Sequence, residues 1–258
     1  MRKLLIALGA ALIFLTGYSF ADNDTARERG HAVALDAHHV VVGCDTDSMV
    51  VRLVFSADSM FEGGEYAVGV LDSMHVPASF FFTGNFLRMK EYEPLIRRIV
   101  ADGHYVGTHS NHHLLLADWD GKRTPLITPD SMLADLDSNY LELARFGVKR
   151  ADAPYALPPF EWCHRTHADA YRSAGITPVN PSPGVETYRD YTAEGMPGYR
   201  TTPEIWDQLW RYEKERGLKG AIIIVHLGVT PLRQDKFYRL LPQMIDTLRA
   251  RGYRLERF

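Results

Sequence analysis

Short apolar runs rich in valine, isoleucine and phenylalanine alternate along this chain with amphipathic stretches, and that alternation constrains the fold most strongly. The runs are typical of buried strands, and the stretches between them carry apolar residues at helical spacing. We count about six such units; the first contains the helix candidate 65–74 and the strand candidate 78–83. Strands that alternate with helices predict a mainly parallel sheet, and this number in one domain favours a barrel over an open sheet.

The first residues predict export. Arg2 and Lys3 precede the apolar run 4–16, and the small residue Ala21 ends the segment. This pattern is typical of a signal peptide, so we expect residues 1–21 to be removed and the protein to reach the periplasm or the extracellular space. No later stretch approaches the roughly 20 apolar residues that a membrane span requires, so we expect no stable membrane insertion after cleavage.

The remaining chain predicts one domain. Residues 22–38 are mostly polar and charged and are expected to form an exposed lead-in. The apolar runs 40–42 and 50–55 flank a turn-rich segment and predict a β-hairpin. Residues 39–258 are long enough to build a single domain with a sizeable core, and nothing in them indicates a second domain.

Charge and cysteine content exclude some partners. The net charge is −3 with both signs mixed along the chain, and no basic stripe indicates a nucleic-acid partner. Cys44 and Cys163 are the two cysteines of a chain expected in an oxidising compartment, where they could form a disulfide. Their spacing leaves that pairing open, and the oligomeric state is equally open.

A histidine pair predicts a metal site. His109 and His113 are four residues apart after an apolar segment, and on a helical turn both imidazoles would face one divalent ion such as zinc. His112 is an alternative to His113. A catalytic zinc usually takes three protein ligands, and the candidates for the third are Asp58 and His226, which both follow strand-like runs.

A second histidine pair is a weaker candidate for metal binding. His164 and His167 are three residues apart beside Cys163. They fall in an amphipathic segment that predicts a helix, and we expect both side chains to face water.

Five segments occur in an order that resembles the polysaccharide deacetylase family, carbohydrate esterase family four. The resemblance covers roughly residues 40–258 and implies a distorted (β/α) barrel with fewer than eight units. The segments are residues 53–58 (LVFSAD), 78–84 (ASFFFTG), 103–113 (GHYVGTHSNHH), 157–160 (LPPF) and 223–226 (IIVH).

The resemblance implies a reaction and a ligand set. Asp58, His109 and His113 would hold a divalent metal ion, preferably Zn²⁺, and His226 would act as a general acid. The expected activity is metal-dependent removal of N- or O-linked acetyl groups from an acetylated polysaccharide or oligosaccharide. Such hydrolysis needs an activated water, a base, oxyanion stabilisation and an acid, and a bound zinc supplies the water activation and polarises the carbonyl.

The chain departs from the family pattern at the residue that would act as the general base. The family's Phe-Asp-Asp is replaced by residues 55–58 (FSAD), so one carboxylate is absent, and its arginine before Pro-Pro is Leu157. The family's later Asp-x-x-Asp-Trp segment is echoed at most by residues 186–191 (ETYRDY). Glu161, after Pro-Pro-Phe, and Glu62, before two glycines, are nearly equal candidates for the base, and Asp118 is a third.

Aromatic residues near these segments are candidates for stacking on sugar rings, with core packing as the alternative: Phe160, Trp162, Trp119 and Tyr155.

Two other functions stay open. A catalytically silent member of the same fold would bind carbohydrate without cleaving it, and Ser56, Ala57 and Leu157 motivate this hypothesis. A metal-dependent amidase acting on a non-sugar substrate is a weaker alternative, because related barrels change chemistry through their loops.

Overall fold

Strands and helices alternate along residues 25–258, the part of the chain that this computed structural model describes. The signal peptide that we expect at residues 1–21 lies outside the described residues. The strands are β1 (Thr25–Glu28), β2 (His31–Leu35), β3 (Val41–Cys44), β4 (Val50–Ala57), β5 (Ser79–Phe82), β6 (Tyr105–Thr108), β7 (Tyr155–Ala156), β8 (Thr177–Pro178), β9 (Ala221–Ile224) and β10 (Arg254–Leu255). The α-helices are α1 (Gly64–Ser73), α2 (Gly84–Leu87), α3 (Glu93–Ala101), α4 (Pro129–Ala144), α5 (Arg165–Ser173), α6 (Thr202–Arg216) and α7 (Leu241–Ala250).

The strands form one curled sheet in the order β1-β2-β3-β9-β4-β5-β6-β7-β8, and β10 joins the start of β4. Every pair from β9 through β8 is parallel. A bridge between Val41 in β3 and Val179, just after β8, brings the two sides of the curl together. The prediction of a single α/β domain built as a distorted, mainly parallel barrel with fewer than eight units is confirmed.

The predicted hairpin between β3 and β4 is wrong, because β9 lies between these two strands. All eight residues of β4 are buried, and the parallel strands β9 and β5 satisfy the hydrogen bonds at its two edges. A local sequence pattern cannot reveal a partner about 170 residues away along the chain.

The segment expected as an exposed lead-in instead contributes two strands. β1 and β2 pair antiparallel around a turn in which Arg29 has φ 51° and Gly30 has φ 88°. Positive φ at both central residues matches the turn type that suits the twist of a hairpin. Val33 and Ala34 are buried in β2, so the polar composition concealed a short strand that covers β3.

The buried core contains the phenylalanines of β5 and both cysteines. Phe80, Phe81 and Phe82 are all fully buried in β5 and pack with the apolar sides of the surrounding helices. Cys44 and Cys163 are both buried as free thiols. Within residues 25–258, no helix is both long and apolar enough to cross a membrane.

Parallel strands present their carboxyl ends at one edge of the sheet, where functional residues of α/β barrels gather. The residues at or just beyond the ends of β4, β5, β6, β7 and β9 are Asp58, Thr83, His109, Leu157 and His226.

Candidate active site

The two histidines of the predicted metal site converge in space. His109 Nε2 lies 3.2 Å from His113 Nε2. They do not lie on a helical turn, as their spacing led us to expect. Ser110 has φ 70° and His113 has φ 54°, and these two left-handed residues fold the segment into an irregular loop. The Ser110 hydroxyl accepts a hydrogen bond from the backbone N–H of His113 at 2.9 Å and holds that loop.

Hydrogen bonding and burial prepare these imidazoles to act as ligands. His109 Nδ1 lies 2.8 Å from the carbonyl oxygen of Leu157, so Nδ1 carries the proton and Nε2 presents its lone pair. Burial lowers the pKa of His109 well below its usual range, and burial also lowers the pKa of His113. Both rings are therefore neutral at physiological pH, the form that binds a metal.

Asp58 lies just beyond the end of β4, at the same edge of the sheet as the histidine pair. Its Oδ1 accepts hydrogen bonds from Thr83 Oγ1 and Asn85 Nδ2, each at 3.0 Å, and both bonds leave Oδ2 for another ligand. The Asp58 charge opposes the effect of burial on the pKa of His113.

The histidine pair fits a divalent ion. Tetrahedral zinc bound to two imidazoles at about 2.0–2.1 Å requires the two nitrogens to be about 3.3 Å apart. The observed Nε2–Nε2 separation of 3.2 Å is close to that value. Asp58 would complete a set of three ligands and leave a coordination position for substrate chemistry. Its carboxylate oxygens and the two imidazole nitrogens are not all within 4.8 Å of one another among the described residues, so the carboxylate would have to move toward the pair when an ion binds.

Among the described residues, His31, Cys44 and Asp45 are the one group of three potential ligands whose atoms all lie within 4.8 Å of one another. Arg52, however, donates to Asp45 Oδ2 at 2.6 Å and to the Cys44 carbonyl at 2.9 Å. His31 Nδ1 already lies 2.8 Å from Asp45 Oδ1. This carboxylate therefore has two partners, one of them a permanent cation, and the electrostatics favour the Asp58 site for a catalytic ion.

The alternative histidines are used elsewhere. His112 Nδ1 lies 2.6 Å from Asp135 Oδ1, so the contacts of this ring do not support His112 in place of His113. His164 caps the start of α5 through Thr166 N. His167 is fully buried with Nε2 2.7 Å from the Ile127 carbonyl, which corrects our expectation that it faces water.

His226 is paired with a buried carboxylate. Its Nδ1 lies 2.6 Å from Asp190 Oδ1, and its backbone N–H donates to Asp190 Oδ2 at 2.8 Å. Burial alone would lower the pKa of His226, but the Asp190 charge and hydrogen bond outweigh burial and the net shift is upward. The role of Asp190 was not predicted; the faint resemblance of residues 186–191 to the family's Asp-x-x-Asp-Trp segment was its one signal in the sequence.

The charges of His226 and Asp190 also act on Glu161. It ends the 3₁₀ turn Pro159–Glu161, where Phe160 has φ 60° and Glu161 has φ 52°. Two consecutive left-handed residues without glycine are strained, a condition that is common at active sites. Burial raises the pKa of Glu161 to about 7, while the charge of His226 lowers it and that of Asp190 raises it.

The other two candidates for the base make different contacts. Glu62 is exposed, and its Oε1 accepts hydrogen bonds from the backbone N–H of Val229 at 3.2 Å and from Lys236 Nζ at 3.0 Å. It therefore ties the loop after β4 to the loop after β9. Asp118 is also exposed, and its Oδ1 accepts a hydrogen bond from Trp119 N at 2.7 Å.

Three of the four predicted aromatics form a wall beside the histidine pair. The Phe160 ring centroid lies 4.3 Å from that of His113 and 5.9 Å from that of Trp119. Trp162 stacks behind Trp119 at 5.4 Å but is itself buried. Tyr155 is in the core, 4.7 Å from the Phe258 ring, so packing explains it and a sugar contact does not.

This fold and site define the class of protein. Residues 45–179, just over half of the chain, match the model of a family described as polysaccharide deacetylase, and the chain belongs to that family.

Among individual proteins, it is similar to the peptidoglycan-N-acetylmuramic acid deacetylase PdaA of Bacillus subtilis (strain 168). The two are 34% identical over 118 residues, which cover 45% of this chain and 40% of PdaA. The matched region therefore spans about two fifths of that relative.

Solved structures share the fold. The structure of Bacillus subtilis PdaA superimposes with a TM-score of 0.61 at 19% identity, covering 92% of this chain and 93% of PdaA. BA3943 from Bacillus anthracis, described as a family-four carbohydrate esterase pseudoenzyme, superimposes with a TM-score of 0.60 at 17% identity. That match covers 81% of this chain and 64% of the pseudoenzyme.

Proposed function

We propose that this protein is a metal-dependent hydrolase that removes acetyl groups from an acetylated carbohydrate. One observation carries the proposal: the Nε2 atoms of His109 and His113 meet at 3.2 Å, and Asp58 lies at the same edge of the sheet with Oδ2 outside its hydrogen bonds to Thr83 and Asn85. A neutral imidazole pair with a carboxylate is a donor set for zinc. When bound, the ion supplies a Lewis acid that polarises the acetyl carbonyl and lowers the pKa of water.

Glu161 is the proposed general base. The family's carboxylate at the end of β4 is replaced by Ala57, whose methyl group cannot accept a proton. Glu161 has a pKa of about 7, so a large share of it is ionised at neutral pH and can take the proton of the attacking water. The contacts of Glu62 with Val229 and Lys236 favour Glu161 over Glu62 for this role.

His226 is the proposed general acid. Asp190 accepts a hydrogen bond from its Nδ1–H, which fixes the ring orientation and leaves Nε2 as the nitrogen that can exchange a proton with substrate. The Asp190 carboxylate also stabilises the protonated ring, and the raised pKa keeps more of the acid form at neutral pH. His226 would then donate a proton from Nε2 to the departing amine or alcohol.

A catalytically silent carbohydrate-binding protein is the second candidate. The replacement at Ala57 favours it, and the pseudoenzyme from Bacillus anthracis has the same fold. This candidate predicts glycan binding without acetate release, even when Asp58, His109 and His113 hold an ion.

The substrate class and the location follow the same reasoning. Phe160 and Trp119 are partly exposed beside the metal site, where they can stack on sugar faces. An acetylated polysaccharide or oligosaccharide is therefore the proposed substrate, met after export through the signal peptide at residues 1–21. Detection of a mature chain that begins at residue 22 outside the cytoplasm would support export, whereas an uncleaved cytoplasmic chain would refute it.

The deciding experiment is acetate release by the mature protein. The substrates are acetylated glucosamine oligomers, acetylated xylan and peptidoglycan glycan strands, each tested with chelator and with zinc add-back. Chelator-sensitive release that zinc restores supports the hydrolase. Glycan binding by zinc-loaded protein without release supports the silent alternative. His112→Ala is the matched control for His113→Ala, because the exposed His112 side chain pairs with Asp135.

A further inference from the structure

Tyr191 occupies a position that the proposed mechanism does not yet use. It follows Asp190 directly at the end of the 3₁₀ turn Thr187–Tyr191. Its ring centroid lies 5.2 Å from that of His226, with the planes inclined at 51°. Asp190 is buried beneath the imidazole, whereas Tyr191 is 42% exposed. The phenol therefore lies on the solvent side of the proposed acid, where a substrate must approach.

The Tyr191 hydroxyl is available to a ligand. Within residues 25–258, it forms no hydrogen bond, whereas the hydroxyls of Tyr105 and Tyr140 donate to the backbone carbonyls of Tyr155 and Ala153. Because the residue is 42% exposed, its hydroxyl is free to donate to water or to a molecule bound beside His226.

Two carboxylates act on this phenol. Burial raises the pKa of Tyr191, and the charges of Asp58 and Glu161 raise it further. The group therefore stays protonated through the neutral range and can only donate when it meets an anionic oxygen. Asp58 belongs to the proposed metal side of the reaction centre and Glu161 to the base side, so the phenol interacts with both.

Resting on the proposed deacetylation, we propose that the Tyr191 hydroxyl donates a hydrogen bond to the acetyl carbonyl oxygen as negative charge develops on it. As water adds to the carbonyl carbon, the π pair moves onto that oxygen, the proton of the water passes to Glu161, and Tyr191 keeps its own proton. When the bond to the leaving amine or alcohol breaks, the oxygen regains its double bond and His226 supplies the proton. Tyr191 is thus a catalytic residue for oxyanion stabilisation.

The test is Tyr191→Phe, which removes the hydroxyl and keeps the ring. We expect kcat to fall at least about tenfold with little change in KM, because the hydrogen bond strengthens only as the charge develops. A tetrahedral methylphosphonyl analogue of the acetylated sugar should lose affinity by a similar factor, whereas the planar acetylated substrate should not. Tyr66→Phe is the control, since the Tyr66 hydroxyl donates a hydrogen bond to the backbone carbonyl of Arg239 and neither residue belongs to the proposed reaction centre.

The outcomes distinguish a failure of the Tyr191 role from a failure of the proposed deacetylase function. If the wild-type protein releases acetate and Tyr191→Phe retains its kcat and its affinity for the analogue, Tyr191 has no oxyanion role and the proposed function survives. If Tyr191→Phe raises KM alone, the ring contacts the sugar and the oxyanion role is refuted. If the zinc-loaded wild-type protein releases no acetate from any substrate, the proposed function fails and this role fails with it.

Discussion

Both carboxylate oxygens of Asp190 accept hydrogen bonds from His226. Oδ1 lies 2.6 Å from the ring Nδ1, and Oδ2 accepts from the backbone N–H at 2.8 Å. This double contact fixes both the position of the residue and the orientation of its ring. Because the two residues are 36 positions apart and lie beyond different strands, the contact also joins the 3₁₀ turn Thr187–Tyr191 to the end of β9.

Asp190→Asn should lower kcat by about 10²–10³-fold, because the ring loses its orientation and the stabilisation of its protonated form. Since the Asp190 charge raises the pKa of His226, its removal lowers that pKa. The acid form is then lost at a lower pH, so the alkaline limb of the rate profile should move to lower pH. A kcat profile against pH measures both effects. Asp137→Asn, at an exposed ion pair, should change neither.

Glu161→Gln and Glu62→Gln should separate the two candidates for the base. We expect Glu161→Gln to lower kcat about 100-fold or more at unchanged metal content. Glu62→Gln should change kcat less than about fivefold, because its interactions with Val229 and Lys236 are structural. Initial rates with metal analysis of each variant decide the matter. The reverse ranking would transfer the base to Glu62.

The same Glu161→Gln substitution should stabilise the metal-free protein at higher pH. The folded pKa of Glu161 is about 7 against an ordinary value of 4.5, so the unfolded chain loses this proton first. Stability is therefore lost as pH rises from about 4.5 to 7, by at most about 3 kcal/mol. The Tm difference between variant and wild type should grow over that window and then level off. A constant difference would show that Glu161 is not buried in a site that penalises its charge.

His113→Ala should abolish tight binding of the ion, whereas His112→Ala should preserve it. The first loses an Nε2 that meets His109 at 3.2 Å, and the second loses a contact to Asp135. Isothermal titration with zinc on the metal-free variants measures both affinities. Equal loss in the two variants would mean that the loop, rather than one ligand, determines binding.

Gly84→Ala should disturb the histidine loop from outside it. A methyl group at Gly84 would lie 1.7 Å from Asn111 Oδ1, and Gly84 N–H already donates to the Ser110 carbonyl at 3.1 Å. We expect a loss of about 1–3 kcal/mol in unfolding free energy and weaker zinc binding. Gly69→Ala in α1 is the control, because nothing lies within 4 Å of the added methyl and a helical alanine gains about 0.5–1 kcal/mol. Denaturant melts and zinc titrations compare the two.

Sequence patterns predicted the parallel strands and the carboxyl-end positions of Asp58, His109 and His226 because strand periodicity and the residues that follow it are local properties. They failed where partners are distant. The insertion of β9 between β3 and β4 depends on pairing across about 170 residues. The left-handed backbone at Ser110 and His113 follows from packing around the loop, which a spacing of four residues cannot encode.

The roles of the carboxylates were hardest to predict. Glu62 and Glu161 looked equivalent in sequence, and their different contacts separate them only in the fold. Asp190 became visible through its contact with His226. Tyr155 was a candidate for a sugar contact in sequence, but it lies in β7 and packs in the core against Phe258.

Acetate release measured against bound zinc, starting from metal-free protein, is the decisive measurement for the proposed hydrolase. We expect the rate to rise in proportion to the zinc held by Asp58, His109 and His113 and to reach its plateau at about one equivalent. The same curve is expected for Cys44→Ala, which disables the other possible metal site. A rate that is independent of zinc, a rate that needs the Cys44 site, or no release from a folded, zinc-loaded protein would show that the proposed function is wrong.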